Sequence, residues 1–285
     1  MPRIPESYID CLVYLYGSVE AAERSERVGG CGLLIGVEFR DIPNLHHVYA
    51  VTNFHVAEVC RVVRYNTKAG RPQCDDLSRS RWFSHQDGSD VSVCPLGFSA
   101  YFDERVTMVR AKSLLTRKRM SRIPLRFGDE LFMVSRYINH EGDTENEPIA
   151  RFGTLAKPRP VLVRDKGGDE EELFLAEVKS LPGHSGSPVF VYFHGMQPRL
   201  GADEVPPRAA TYLLGIDSGL LPQPASVYEA APSGREGPID TGHFVYANSG
   251  ISTVVPAWKI TDILMCPELR LLRQRTESSQ KDRSQ

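Results

Sequence analysis

Gly183-His184-Ser185-Gly186-Ser187-Pro188 lies between two strand-like runs, one ending at Val178 and one opening at Pro188. Two readings of this hexapeptide lead to two different folds. A nucleophile elbow of the form G-x-S-x-G needs a sharp strand-to-helix turn and a glycine in its last place. Here that place is Ser187, and the β-branched and aromatic run Val189-Phe190-Val191-Tyr192-Phe193 follows Pro188, so no helix begins. The elbow fails on context. The other reading is a loop between two strands of a β-barrel. Gly183 can take a positive φ and turn its N–H inward, while Ser185 would offer a nucleophilic Oγ and a second N–H. Gly186 leaves room for tight packing behind the serine. A plain Gly/Ser turn fits the hexapeptide equally well, so the rest of the chain has to decide.

Outward from the loop, short β-type runs dominate. Upstream they fall at residues 9–16, 32–39, 48–52, 60–65 and 91–96, and a second set covers 130–137, 149–155, 161–163 and 173–178. Residues 188–193, 212–216 and 250–255 complete that set. More than ten short strands with almost no 3.6-residue periodicity predict an all-β fold. One helix is expected from Pro256, where Trp258, Ile260, Ile263 and Leu264 share a face.

Composition narrows the function classes. The 285 residues carry 34 Lys+Arg against 36 Asp+Glu, a net charge of −2, which argues against a nucleic-acid or membrane-surface binder. No apolar run approaches 18 residues, so no membrane-spanning helix is expected. The first seven residues lack the basic-then-apolar layout of a secretory signal. Six cysteines (Cys11, Cys31, Cys60, Cys74, Cys94, Cys266) are too few for a disulfide scaffold and have no CxxC spacing. The expectation is a cytoplasmic protein with no metal and no cofactor.

A serine hydroxyl needs a hydrogen-bonded base to become a nucleophile. His55, in Val51-Thr52-Asn53-Phe54-His55-Val56, sits at the end of an apolar strand before a small polar turn. A carboxylate must then fix the imidazole tautomer, and Asp90 heads the alternating run Asp90-Val91-Ser92-Val93. Asp87 is the rival carboxylate, disfavoured because Asp90 directly precedes the alternation. The order His55, Asp90, Ser185 matches one known triad arrangement. Of the other histidines, His46, His47, His85, His140, His194 and His243 show no convincing catalytic or zinc-ligand spacing.

These segments together resemble the trypsin/chymotrypsin-like serine peptidases, and in motif the HtrA (DegP-like) peptidase domains above all. The resemblance spans most of residues 9–265. Gly29-Gly30-Cys31-Gly32-Leu33-Leu34-Ile35 is similar to the family's Gly-Ser-Gly strand, and Val51–Val56 to its histidine motif. Ser89-Asp90-Val91-Ser92-Val93 resembles its aspartate motif and Gly183–Pro188 its serine motif. Leu214-Gly215-Ile216 resembles the strand that pairs with substrate backbone, and Val255-Pro256 the entry to a C-terminal helix.

The resemblance implies a double β-barrel with a C-terminal helix. It implies Ser185 as nucleophile, His55 as general acid/base and Asp90 as orienting carboxylate. The N–H groups of Gly183 and Ser185 would form the oxyanion hole. Ser218 would hydrogen-bond the carboxylate, and with Gly219 and Leu220 would line the substrate. Gly250 would keep the specificity pocket open. Lys179 falls where trypsin proper has an acid, which disfavours cleavage after Lys or Arg.

Departures from the family pattern are Ser187 in place of a second glycine, and His184 where zymogen-activated members have an acid. The flanking cysteines of secreted relatives are missing, and no PDZ-like module is expected. The expected organisation is an N-terminal barrel over 8–109, a basic linker over 110–123, a C-terminal barrel with its helix over 124–272, and a disordered tail over 273–285. The acidic loops at 141–147 and 169–172 are expected to be solvated and could partner the basic segment. Residues 195–210 and 219–241 are expected to be mobile surface insertions. The expected partners are a protein or peptide substrate and a regulatory protein, with neither nucleic acid nor membrane. The competing reading is a catalytically silent scaffold that uses the same cleft to bind.

Overall fold

In the computed structural model, residues 3–67, 72–99, 106–138, 142, 145–164, 170–194, 210–229 and 239–284 are described. The chain opens with helix α1 (Glu6–Ile9), strand β1 (Leu12–Tyr16) and helix α2 (Val19–Glu23), then strands β2 (Gly30–Glu38) and β3 (His46–Thr52). Helix α3 (Phe54–Val59) interrupts the strands, which resume as β4 (Val62–Asn66), β5 (Pro72–Asp76), β6 (Phe83–Ser84), β7 (Ser92–Phe98) and β8 (Val109–Arg110). These strands form one curled sheet in the order β5-β4-β1-β2-β3-β7-β6, with β8 running parallel to β2.

A 3-10 turn (Ala111–Ser113) and helix α4 (Arg117–Arg122) lead into the second half. Its strands are β9 (Glu130–Arg136), β10 (Pro148–Leu155), β11 (Val161–Arg164), β12 (Glu170–Glu177), β13 (Pro188–Phe193), β14 (Ala210–Glu229) and β15 (Ile239–Pro256). Their order is β10-β9-β13-β14-β15-β12-β11, and an extra β10–β12 pairing through Thr154↔Glu177 closes the sheet into a barrel. Helices α5 (Ala257–Leu264) and α6 (Pro267–Ser284) end the chain. The all-β double-barrel class with a C-terminal helix is thus the observed one.

Both faces of β2 are covered, which explains its unbroken apolar run. Leu34 packs with Val13, Val48, Ala50 and Cys94 in the interior of the first sheet. Its neighbours Leu33 and Ile35 point the other way, as alternation requires, into a core that also holds Phe132, Phe190, Ile216 and Val255 of the second barrel. That shared core fixes the barrels against each other. The second barrel has its own interior around Leu131, Phe174, Val191 and Trp258.

Four expectations need correction or refinement. Residues 273–284 continue helix α6 and are not a disordered tail. After the fully buried Leu269, the docking stripe of α6 is polar: Arg273 donates to Tyr49 Oη at 2.9 Å and Leu264 O at 2.7 Å, Glu277 pairs with His47 at 3.1 Å, and Lys281 pairs with Asp41. Spacing of four residues puts these three on one face. Arg273→Ala is therefore expected to cost about 2–3 kcal/mol, since both bonds come from a buried guanidinium; the urea midpoint checks this.

The expected insertion over 219–241 is largely strand, because β14 runs to Glu229 and β15 starts at Ile239. The remainder of that stretch, most of 195–210, His140 and parts of the two acidic loops lie outside the described residues. The basic segment is folded: the Arg117 guanidinium lies 4.6 Å from the Trp258 ring and pairs with Glu172 at 2.7 Å, while Arg119 donates to Leu114 O. Finally, His55 belongs to the first turn of α3 and not to the end of a strand.

Candidate active site

His55 reaches its position because β3 ends at Thr52 and the chain turns into α3 through Asn53 (φ −68°, ψ 152°). The Asn53 side chain donates to Asp90 O at 2.8 Å, tying this turn to the segment before β7. Asp90 then meets His55 twice. The His55 backbone N–H donates to Oδ1 at 3.1 Å, and ring Nδ1 lies 2.8 Å from Oδ2. A carboxylate only accepts, so Nδ1 carries the proton and Nε2 of the neutral ring is left to take another. Ser218 Oγ donates to Asp90 Oδ2 at 3.1 Å, and the Asp90 N–H donates to Glu171 Oε1 at 2.9 Å. Asp90 is thus held from both barrels.

The charges respond accordingly. The bond from Asp90 raises the His55 pKa above its ordinary value of 6.5, against an opposing desolvation. Burial pushes the Asp90 carboxyl up, but the bonds from His55 and Ser218 outweigh it and hold the group below 3.8. The rival Asp87 is engaged elsewhere, with Lys259 Nζ at 3.0 Å and His85 Nδ1 at 2.5 Å.

Ser185 stands on the loop between β12 and β13, clamped onto β2 by a bond from Cys31 N–H to Ser185 O of 2.8 Å. A methyl group built on Gly30 would meet Val56 at 2.8 Å and Ser185 O at 3.2 Å, so the nucleophile loop and the start of α3 converge on one point of β2. Gly186 has φ +85°, and a Cβ there would lie 1.9 Å from Cys31 O. Only glycine fits. Ser187 fills the place of the missing second glycine by donating to Ser135 Oγ at 2.8 Å.

The loop amides divide in an informative way. His184 N–H donates to Leu181 O, Gly186 N–H to Asp217 O, and Ser187 N–H to His184 O. Among the described residues, the N–H groups of Gly183 (φ +91°) and Ser185 have no protein acceptor. One belongs to the serine itself and the other lies two residues before it, and two such donors are what an oxyanion needs. His184 itself is fully buried; desolvation, with the nearby Arg151 and Arg136 cations, pushes its pKa down to about 4 and keeps the ring neutral.

Of the remaining candidates, Ser218 touches this centre through Asp90. Ser218, Gly219 and Leu220 lie on β14, where Gly219 pairs with Thr253 and Leu220 with Ser252 of β15. Gly250 (φ +84°) donates its N–H to Asn248 Oδ1, and Asn248 Nδ2 donates to Ser180 O at 2.7 Å. Lys179 is exposed beside Ser180. Not everything is joined: among the described residues no hydrogen bond links Ser185 Oγ to His55, a contact that often tightens only with substrate present. No group of three His, Cys, Asp or Glu is placed to hold a metal among the described residues, and no helix there is long and apolar enough to cross a membrane.

Sequence reasoning missed Glu171 and Asp217. Asp217 is fully buried and accepts from Ser180 Oγ at 2.6 Å. Burial raises its pKa to about 8. The folded state therefore keeps a proton that the unfolded chain loses near pH 4, so this group makes stability fall as pH rises from about 4 to 8. Asp217→Asn is expected to flatten that slope, which urea midpoints across the range would show.

No protein-family model and no curated protein matches the chain. Solved structures similar to it include the Rv3671c protease of M. tuberculosis in an inactive form, at 12% identity and TM-score 0.47, covering 91% of this chain and 89% of that one. The HtrA-type protease AlgW with a tripeptide matches at 14% identity and TM-score 0.46, and Deg5 at 14% and 0.43. The AlgW match covers 91% of this chain and 62% of AlgW, and the Deg5 match 75% and 81%.

Proposed function

We propose that this chain is a serine endopeptidase that cleaves protein substrates through an acyl-enzyme. The observation that carries the reading is the pair of unpaired amides, Gly183 and Ser185, beside a histidine whose tautomer Asp90 sets. In this reading His55 Nε2 takes the Ser185 Oγ proton as the oxygen attacks the scissile carbonyl. The developing oxyanion is met by the Gly183 and Ser185 N–H groups. His55 then passes its proton to the leaving amine, and water repeats the sequence on the ester. The six free cysteines suit a reducing, cytoplasmic setting.

The test is hydrolysis of β-casein. The wild type should cleave it, and Ser185→Ala should lower the rate to background. Because His55 acts in its neutral form and its pKa lies above 6.5, the rate should rise with pH through a midpoint above that value. The second reading, a silent binding module, is favoured by the missing Ser185–His55 bond. Casein left intact by the wild type at every pH would select it.

A further inference from the structure

Strand β14 pairs with β13 as far as Ile216, opposite the first residue of β13 (Pro188↔Ile216), and Asp217 still exchanges backbone bonds with Gly186 and Ser187. From Ser218 outward β15 is its one strand partner among the described residues, as far as Glu229↔Ile239. Among the described residues, the edge of β14 that starts at Ser218, beside Asp90, therefore has no strand partner through the outer half of the strand. This outer ribbon presents large apolar side chains to solvent: Tyr228 is 57%, Phe244 60%, Val245 54% and Tyr246 70% exposed. Directly opposed residues share a face, so Ser226↔Phe244 and Pro224↔Tyr246 build one face, on which the two rings pack edge to face at 5.6 Å.

Its chemistry limits the occupant. Residues 218–228 and 241–256 contain no Asp, Glu, Lys or Arg, only His243. Phosphates and anionic headgroups find no cation there. Pro222 and Pro224 remove two ladder donors, which discourages indiscriminate edge pairing and leaves recognition to side chains. Aromatic, uncharged surface of this kind is what anchors protein interfaces.

We infer that the ribbon face of Pro224, Ser226, Phe244 and Tyr246 is an exosite for an extended apolar or aromatic segment of the protein substrate. This rests on the peptidase reading above and extends it. The edge that would receive substrate at Ser218–Leu220 is continuous with the ribbon, so one polypeptide can occupy both. A strand added antiparallel to β14 runs toward Ser185 as β14 runs away, so the segment on the ribbon precedes the scissile bond. Because Pro222 and Pro224 interrupt the ladder and the pairing with β15 is bulged between Leu220 and Pro222, that segment would be held by side chains on the ribbon face rather than by a continuous edge ladder. Sequence preference would then be set partly by that distant segment.

The experiment measures binding without turnover. Fluorescein-labelled β-casein is titrated with the full chain carrying Ser185→Ala, and with the same chain also carrying Phe244→Ser and Tyr246→Ser. Both side chains are exposed, and circular dichroism checks the fold. The ribbon changes are expected to weaken binding at least tenfold. Affinities within twofold of each other, or no measurable binding by either chain, overturn the exosite. Flotation with phosphatidylcholine vesicles that the ribbon changes abolish would assign the face to lipid instead. A concentration-dependent dimer lost in the same variant would assign it to a second copy; either result also overturns the proposal. Casein cleavage by the wild type decides the peptidase reading separately, so the two can fail independently.

Discussion

Asp90→Asn is expected to lower kcat/KM about 10⁴-fold while leaving the fold intact. The amide presents either an oxygen or an NH₂ group to the imidazole. Its oxygen can still accept from Nδ1–H, but it no longer bears the charge that stabilises the imidazolium. Its NH₂ would instead force the proton onto Nε2, where the base is needed. The bonds from His55 N–H and Ser218 Oγ also lose their charged acceptor, and charge-assisted bonds are about twice as strong as neutral ones. The pH midpoint should move down as well, since Asp90 is the main cause of the raised His55 value. Asp87→Asn, by contrast, removes a partner of buried Lys259 and His85. It should cost stability without this fall in rate. A large rate loss in Asp87→Asn and a small one in Asp90→Asn would reverse the assignment.

Gly186→Ala is expected to be the most destabilising single change in the loop. An alanine at φ +85° is strained by about 1–3 kcal/mol. Its methyl would also sit 1.9 Å from Cys31 O and 2.5 Å from Thr52 Oγ1. Relief of such overpacking typically costs another 1–3 kcal/mol. Cys31 O is already taken by Thr52 Oγ1 at 2.6 Å, so neither group can retreat freely. A total loss of roughly 2–6 kcal/mol follows, read as a fall in the denaturation midpoint. Because the same backbone carries the Ser185 amide, activity should fall further than stability alone accounts for. Gly183→Ala meets the Arg136 guanidinium, whose long side chain can shift, and should be milder.

The parts of the site readable from the chain are those that chemistry keeps contiguous. Gly183 to Pro188 announces itself because a nucleophile, its glycines and the following strand must be adjacent in sequence. His55 and Asp90 were visible as candidates because each stands next to an apolar strand, and the structure bonds them to each other. Glu171 and Asp217 were not visible, since their roles come from tertiary placement. Glu171 crosses from the second barrel to the Asp90 amide, and Asp217 is acidic in sequence yet buried in the fold. Local pattern also fails for short helices: α3 has six residues, too few for a 3.6 period to show. Helix α6 misled for a different reason. Beyond the buried Leu269 its contact stripe of Arg273, Glu277 and Lys281 is polar, so from residue 273 on the usual apolar signature of a docked helix is missing. The long β14–β15 ribbon was hidden by Pro222, Pro224 and glycines that resemble a loop.

The central claim is that Ser185 is an activated nucleophile, and reaction with a fluorophosphonate tests it most directly, because an ordinary serine does not react. Mass spectrometry of the wild type should show one adduct, on the peptide containing Ser185, and Ser185→Ala should show none. An unmodified wild type, or an adduct that survives Ser185→Ala, would contradict the account.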